Sequence, residues 1–265
     1  MEEVEVEAEE ELKAILREAF GDSSSDSDGE PSHDRPGRVK ANDSSHEIVR
    51  PDTIFGDSHI WEPITEINGL WICRDLLSGD QQSSLLSALE KDGYLSEASH
   101  NQAMRFGDLP PWALELSYLI RESVVMSGYS SESTDLINSD ECNETCLFPS
   151  ELLWREPLFN QLIVNIYQPG EGICAHVDLM RFEDGIAIIS LESSCVMHFT
   201  SVEAEVNHKI PVLLTPGSVV LMWGEARFLW KHEINRKPGF QKWQGQELDQ
   251  KRRTSVTLRR LRQTE

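Results

Sequence analysis

A histidine and an aspartate stand two residues apart in Asn165-Ile166-Tyr167-Gln168-Pro169-Gly170-Glu171-Gly172-Ile173-Cys174-Ala175-His176-Val177-Asp178, just after a β-like run and a Pro-Gly turn. On a strand, residues i and i+2 point to one face. His176 and Asp178 can therefore offer an imidazole and a carboxylate to one metal ion. A histidine and an aspartate at this spacing arise by chance in many chains, so the reading depends on a third ligand. His232 supplies one, in Ala226-Arg227-Phe228-Leu229-Trp230-Lys231-His232-Glu233-Ile234. Two histidines and a carboxylate on one face form the set that leaves open positions on non-haem Fe(II). His33, His46, His59, His100, His198 and His208 lack this context. His198 alternates within a core-like run and reads as a hydrogen-bonded structural histidine.

An open-sided ferrous site needs an electron-donating co-substrate. Near the C-terminus, Arg253, Ser255, Thr257 and Arg259 share a face by the period of two. A guanidinium inside a barrel needs an anionic partner, and a small dicarboxylate would serve. Asn165 and Tyr167 share a strand face in the same way and can donate to that carboxylate. The competing reading, a basic terminal strand facing solvent, weakens once the histidines and aspartate lie upstream.

These residues need strands to hold them. Gln161–Tyr167, 185–191, 195–200, 211–214, 218–223 and 255–261 are apolar or alternating runs of strand length, separated by turn signals such as Asp184-Gly185 and Thr215-Pro216-Gly217. Before them, residues 69–73 read as a short strand. Asp80 is expected to cap a helix over 81–89, and Pro110-Pro111 to introduce a second, with Trp112, Leu116, Leu119 and Ile120 inward. Residues 101–107 have no clear period and read as a loop or hairpin. Helices followed by many short strands predict a mainly β fold with flanking helices, a double-sheet jelly roll behind an N-terminal helical extension.

Taken in order, Asn165-x-Tyr167, Gly170, Ile173-x-x-His176-x-Asp178, Arg227-x₄-His232-x-Ile234 and Arg253-x-Ser255-x-Thr257-x-Arg259 resemble the signature of the AlkB family of iron- and 2-oxoglutarate-dependent dioxygenases. The resemblance runs over roughly residues 69–262. It implies a double-stranded β-helix, with Fe(II), 2-oxoglutarate and O₂ as cofactor and co-substrates. It also implies His176, Asp178 and His232 as iron ligands and Arg253 as partner of the distal 2-oxoglutarate carboxylate. Asn165, Tyr167, Ser255 and Arg259 would complete the co-substrate site. Two positions depart from the pattern. Ser255 stands where asparagine is usual, so one co-substrate hydrogen bond is lost or shifted. Glu233 follows His232 where glycine is commoner, adding negative charge beside the metal.

The resemblance also implies a substrate lid, with residues 101–107 and the acidic stretch 127–149 as candidates. It implies oxidative demethylation or hydroxylation of N-alkylated nucleobases in RNA or DNA. The run Phe182-Glu183-Asp184-Gly185-Ile186-Ala187-Ile188-Ile189-Ser190-Leu191 resembles the branch linked to modified transfer RNA. Other classes stay open: a protein hydroxylase or demethylase, a catalytically silent module acting through its tail, or a cupin-like jelly roll for another ligand.

Charge bears on the partner. The chain of 265 residues has a formal net charge of −22. Residues 1–50 carry 15 acids against 6 bases, whereas residues 227–265 carry 11 bases against 4 acids. Broad binding to duplex DNA wants a wide positive face, so the acidity counts against it. It would suit a basic protein segment. Residues 1–53 read as an acidic, mostly disordered tail, and 54–265 as the dioxygenase domain. Within the tail, Leu12, Ile15, Leu16, Ala19 and Phe20 form a short helical stripe, and 21–43 a Ser- and Asp-rich linker whose serines invite phosphorylation. Cys142-x₃-Cys146 has no second pair to complete a zinc site. No basic stretch leads into an apolar core at the N-terminus, and no run of 18 apolar residues occurs, so neither a secretory signal nor a membrane span is expected. The five cysteines are then expected as reduced thiols, in the nucleus or cytoplasm.

Overall fold

A computed structural model describes residues 59–95, 101–127, 146–203 and 209–262. The helical stripe at Leu12–Phe20, the linker, the 53/54 boundary, Cys142 and most of the acidic 127–149 stretch lie outside the described residues. No described helix is long and apolar enough to cross a membrane.

In chain order the elements are β1 (Trp61–Pro63), β2 (Leu70–Cys73), α1 (Gly79–Lys91), β3 (Gln102–Phe106), α2 (Pro111–Met126), α3 (Ser150–Leu153), β4 (Gln161–Tyr167), β5 (Ile173–His176), β6 (Ile186–Leu191), β7 (Cys195–Ser201), β8 (Lys209–Leu214), β9 (Val219–Met222), α4 (Glu225–Phe228), β10 (Trp230–Ile234), β11 (Lys242–Trp243), β12 (Gln246–Glu247) and β13 (Arg253–Arg259). A large antiparallel sheet has the order β1-β2-β9-β6-β13-β4-β3, and a small one has β5-β10-β7-β8. This is the expected jelly roll with helices on its flank.

β4 and β13 are buried along their whole length, because each face of the large sheet has its own cover. Leu162, Val164, Ala187, Ile189, Val256 and Leu258 pack outward against Leu85 and Leu89 of α1 and Leu116 and Ile120 of α2. The opposite phase of the same strands faces the small sheet. There Ile186, Ile188, Val220 and Met222 meet Met197, Phe199, Val212 and Ile234. The apolar contact area drives both layers together, and the period of two decides which residues see which layer.

Three local expectations are corrected. The cap of α1 is Ser78, whose Oγ accepts from the Gln81 N–H while Gln81 Oε1 accepts from the Ser78 N–H. Asp80 sits in the first turn. A reciprocal capping box satisfies two orphan N–H groups where a lone Asp satisfies one. Residues 102–106 are neither a loop nor a local hairpin but the edge strand β3, paired with β4 from Gln102 opposite Asn165 to Phe106 opposite Gln161. Their pattern lacks a clean period because each face mixes polar and apolar residues, Gln102 with Met104 and Phe106, Arg105 with Ala103. Finally, β5 ends at His176, so strand alternation does not place Asp178.

Candidate active site

β10 lies beside β5 with His232 opposite His176, and the two rings are 4.3 Å apart. Gly172 makes this approach possible: a Cβ there would fall 1.8 Å from the Ile234 carbonyl oxygen. His176 Nδ1 lies 2.8 Å from the Cys174 carbonyl. A carbonyl only accepts, so Nδ1 carries the proton and the Nε2 lone pair is left for a metal. His232 turns Nε2 to within 3.7 Å of Asp178 Oδ2. One donor atom each from His176, Asp178 and His232 lie within 4.8 Å of one another.

Two arginines put Asp178 there in place of the strand. Arg227, on α4, donates Nη1 to the Asp178 carbonyl at 2.8 Å, and Nη2 to the carbonyls of Leu179 at 2.7 Å and Phe182 at 3.3 Å. It thereby fixes the backbone turn after β5. Arg259 fixes the side chain: Nη1 donates to Asp178 Oδ1 at 2.5 Å, and its Nε to Gln161 Oε1 at 2.7 Å. Burial alone would raise the Asp178 carboxyl, but the charge of Arg259, then those of His232, His176 and Arg227, outweighs it and holds the group well below the usual carboxylate range. Burial, then the neighbouring His176, pushes the His232 imidazole down to about 3. Both groups therefore stand in the deprotonated forms that ligate metals. The donor set of two imidazoles and one carboxylate fits Fe(II).

Beside this cluster the inward face of the large sheet turns polar. Arg253 stands opposite Tyr167, Ser255 opposite Asn165, and Arg259 opposite Gln161. Arg253 is fully buried. Its Nε donates to Ser190 Oγ at 3.1 Å, whereas Nη1 and Nη2 find no partner among the described residues. Two buried unpartnered donors on one fork are costly in isolation and match the two oxygens of a carboxylate. The pocket thus fits the distal end of 2-oxoglutarate. Arg236 closes its end, donating to the carbonyls of Tyr167, Gln168 and Lys251.

The expected residues therefore converge, with changed duties for some. Arg259 gives Nη1 to Asp178 and Nε to Gln161, so besides its expected place at the co-substrate it holds the Asp178 carboxylate. Ser255 is buried opposite Asn165. Glu233 points to the outer face of the small sheet and pairs with Lys209, so its charge is directed away from the cluster. His198 lies opposite Glu233 on β7, and its Nδ1 has no partner among the described residues. Sequence reading passed over Gln161 and Ser190, and placed Gln102 within the 101–107 lid candidate without a co-substrate role. Gln161 shares the phase of Asn165 and Tyr167, and Ser190 is the lone hydroxyl in an apolar run, so both left a signal.

The sequence model of the 2OG-Fe(II) oxygenase superfamily matches residues 69–259. Among curated proteins, the Xenopus tropicalis protein named tRNA (carboxymethyluridine(34)-5-O)-methyltransferase alkbh8 is 30% identical over 171 residues, covering 63% of this chain and 25% of the frog protein. The chain thus spans about a quarter of that relative's length. An uncharacterized Acanthamoeba polyphaga mimivirus protein, L905, is 24% identical over 74% of this chain and 86% of its own. The fold is similar to that in the structure of OsALKBH1, at 15% identity and a TM-score of 0.50 over 73% of this chain and 97% of that one.

Proposed function

The chain belongs to the 2OG-Fe(II) oxygenase superfamily, as an AlkB-like dioxygenase, and from that premise we propose that it oxidises N-alkylated nucleobases in RNA, with transfer RNA as the substrate class. When bound, iron with 2-oxoglutarate and O₂ supplies the oxidation of a substrate C–H to C–OH, with succinate and CO₂ released; an N-hydroxymethyl product then loses formaldehyde. The chain's own residues do the positioning. His176, Asp178 and His232 hold the ion. Arg253 anchors the distal carboxylate, and Asn165 and Tyr167 line its path. Arg259 and Arg227 keep Asp178 aimed, and the apolar inter-sheet core behind them excludes water.

The observation that carries the substrate class is a shelf along the same sheet face. Gln102, Met104 and Phe106 of β3 stand opposite Asn165, Ile163 and Gln161, so their side chains continue the face that holds the co-substrate residues. The Arg181 guanidinium lies 5.9 Å from the Phe106 ring, and equally far from that of Phe182. Apolar side chains and a guanidinium beside two aromatic rings suit a planar base splayed out of a single strand. The name of the frog relative, a transfer RNA enzyme acting at carboxymethyluridine 34, supports RNA over DNA.

The test is succinate and formaldehyde release by the iron-loaded protein on matched methylated transfer RNA, single-stranded DNA and histone peptides. Formaldehyde formed fastest on transfer RNA is the expected result. Turnover confined to peptide would replace the substrate class with a protein. Failure of folded, iron-loaded protein to form any succinate, even uncoupled, would leave a silent module.

A further inference from the structure

The start of β3 is fastened to β4 by more than its ladder. Asn101, at φ 52, accepts from the Ile166 N–H through its carbonyl at 2.7 Å. Its side-chain Nδ2 donates to Glu171 Oε1 at 3.3 Å. Glu171 Oε2 in turn accepts from the Gln168 N–H at 2.7 Å, in the turn that leads into β5 and His176. One residue on, Gln102 Nε2 donates to Asn165 Oδ1 at 2.6 Å. Asn165 is buried and Gln102 half-buried.

An asparagine amide is ambiguous: it presents an acceptor on one side and two donors on the other. An amide that faces a carboxylate must present its donors. The Gln102 N–H occupies the Asn165 oxygen and so fixes which end of the amide is left for the pocket. Gln102 itself belongs to the edge strand whose next inward residues, Met104 and Phe106, form the proposed base shelf.

We propose that Gln102 is a positioning residue that couples the two co-reactants: its bond to Asn165 aims the Asn165 donors at 2-oxoglutarate, and 2-oxoglutarate binding in return seats β3 over the site. The proposal rests on the reading of Asn165 as a co-substrate residue. Linkage requires the coupling to be reciprocal, so it is visible from both ends without turnover.

Two measurements test it on the full chain loaded with redox-silent Mn(II). Titration calorimetry gives the 2-oxoglutarate affinity of wild type, Gln102→Leu, Asn165→Ala and the double variant. Loss of one aimed hydrogen bond predicts affinity about five- to tenfold weaker in Gln102→Leu, with the double variant no weaker than Asn165→Ala alone. Hydrogen exchange of wild type, with and without 2-oxoglutarate, should show the amides of residues 102–106 slowed by the ligand, and that slowing absent in Gln102→Leu. Unchanged affinity in Gln102→Leu beside weakened Asn165→Ala overturns the proposal and spares the pocket. Unchanged affinity in both also removes Asn165 from the pocket. Exchange in β3 indifferent to 2-oxoglutarate overturns the coupling even if Gln102→Leu proves too unstable to titrate.

Discussion

Arg259 and Asp178 form a buried ion pair, with Nη1 2.5 Å from Oδ1 and both side chains less than a tenth exposed. The pair sits at the meeting of β13 with the turn after β5, so it joins the large sheet to the metal cluster. Removing one partner leaves a buried, uncompensated charge, which typically costs about 3–5 kcal/mol. Arg259→Met should destabilise the metal-free protein by about that amount in denaturant unfolding. Saturating Mn(II) should recover much of the loss, since the ion takes over the neutralisation of Asp178.

Arg253 predicts the opposite ligand-free behaviour. Two of its guanidinium nitrogens are buried without a partner among the described residues, so the arginine is a liability until an anion arrives. Arg253→Met should leave the ligand-free protein at least as stable as wild type, because an apolar chain of similar volume removes an unsatisfied charge. The same variant should lose the rise in melting temperature that 2-oxoglutarate gives wild type. A large loss of ligand-free stability would mean that Arg253 is structural.

Acid should weaken the metal-free protein in two stages. The folded His232 imidazole titrates at about 3, whereas the unfolded chain's titrates near 6.5. Between those values the unfolded state binds a proton that the folded state does not, so stability falls as pH drops from about 6.5 toward 3. Asp178 has a folded pKa below its unfolded value, so its contribution is intact above about 3.9 and fades only below it. Denaturant midpoints measured from pH 7 to 4 should fall for wild type, and less steeply for His232→Gln.

Gly172→Ala should open the cluster from the backbone. The new Cβ would meet the Ile234 carbonyl oxygen at 1.8 Å, which forces β5 away from β10. Such overpacking typically costs about 1–3 kcal/mol. Because His176 and His232 sit across that strand pair, Mn(II) affinity should fall as well. Retained affinity with full stability would show that the turn adapts elsewhere.

Much of the site was legible because its chemistry repeats at the strand period. Asn165 and Tyr167, and Arg253 through Arg259, share faces in the sequence as they do in the structure, and β4 has the bounds expected of it. The period failed at β3, where polar and apolar residues share each face: Gln102 with Met104 and Phe106, Arg105 with Ala103. With no alternation to read, Gln102, Met104 and Phe106 fell within a stretch that the sequence offers as a loop or hairpin.

The sequence by itself determined the donor set, the jelly-roll class and the polar phase of β4 and β13, because residue type and alternation are local properties of the chain. The tertiary structure alone decided what each charge does. Arg259 meets Asp178 across 81 positions of chain, and Arg227 holds the turn around it from another element. Glu233 is turned outward to Lys209 by the pleat. The physical reason is that a long cation has several anions and carbonyls it could satisfy, and only close packing of distant segments selects among them.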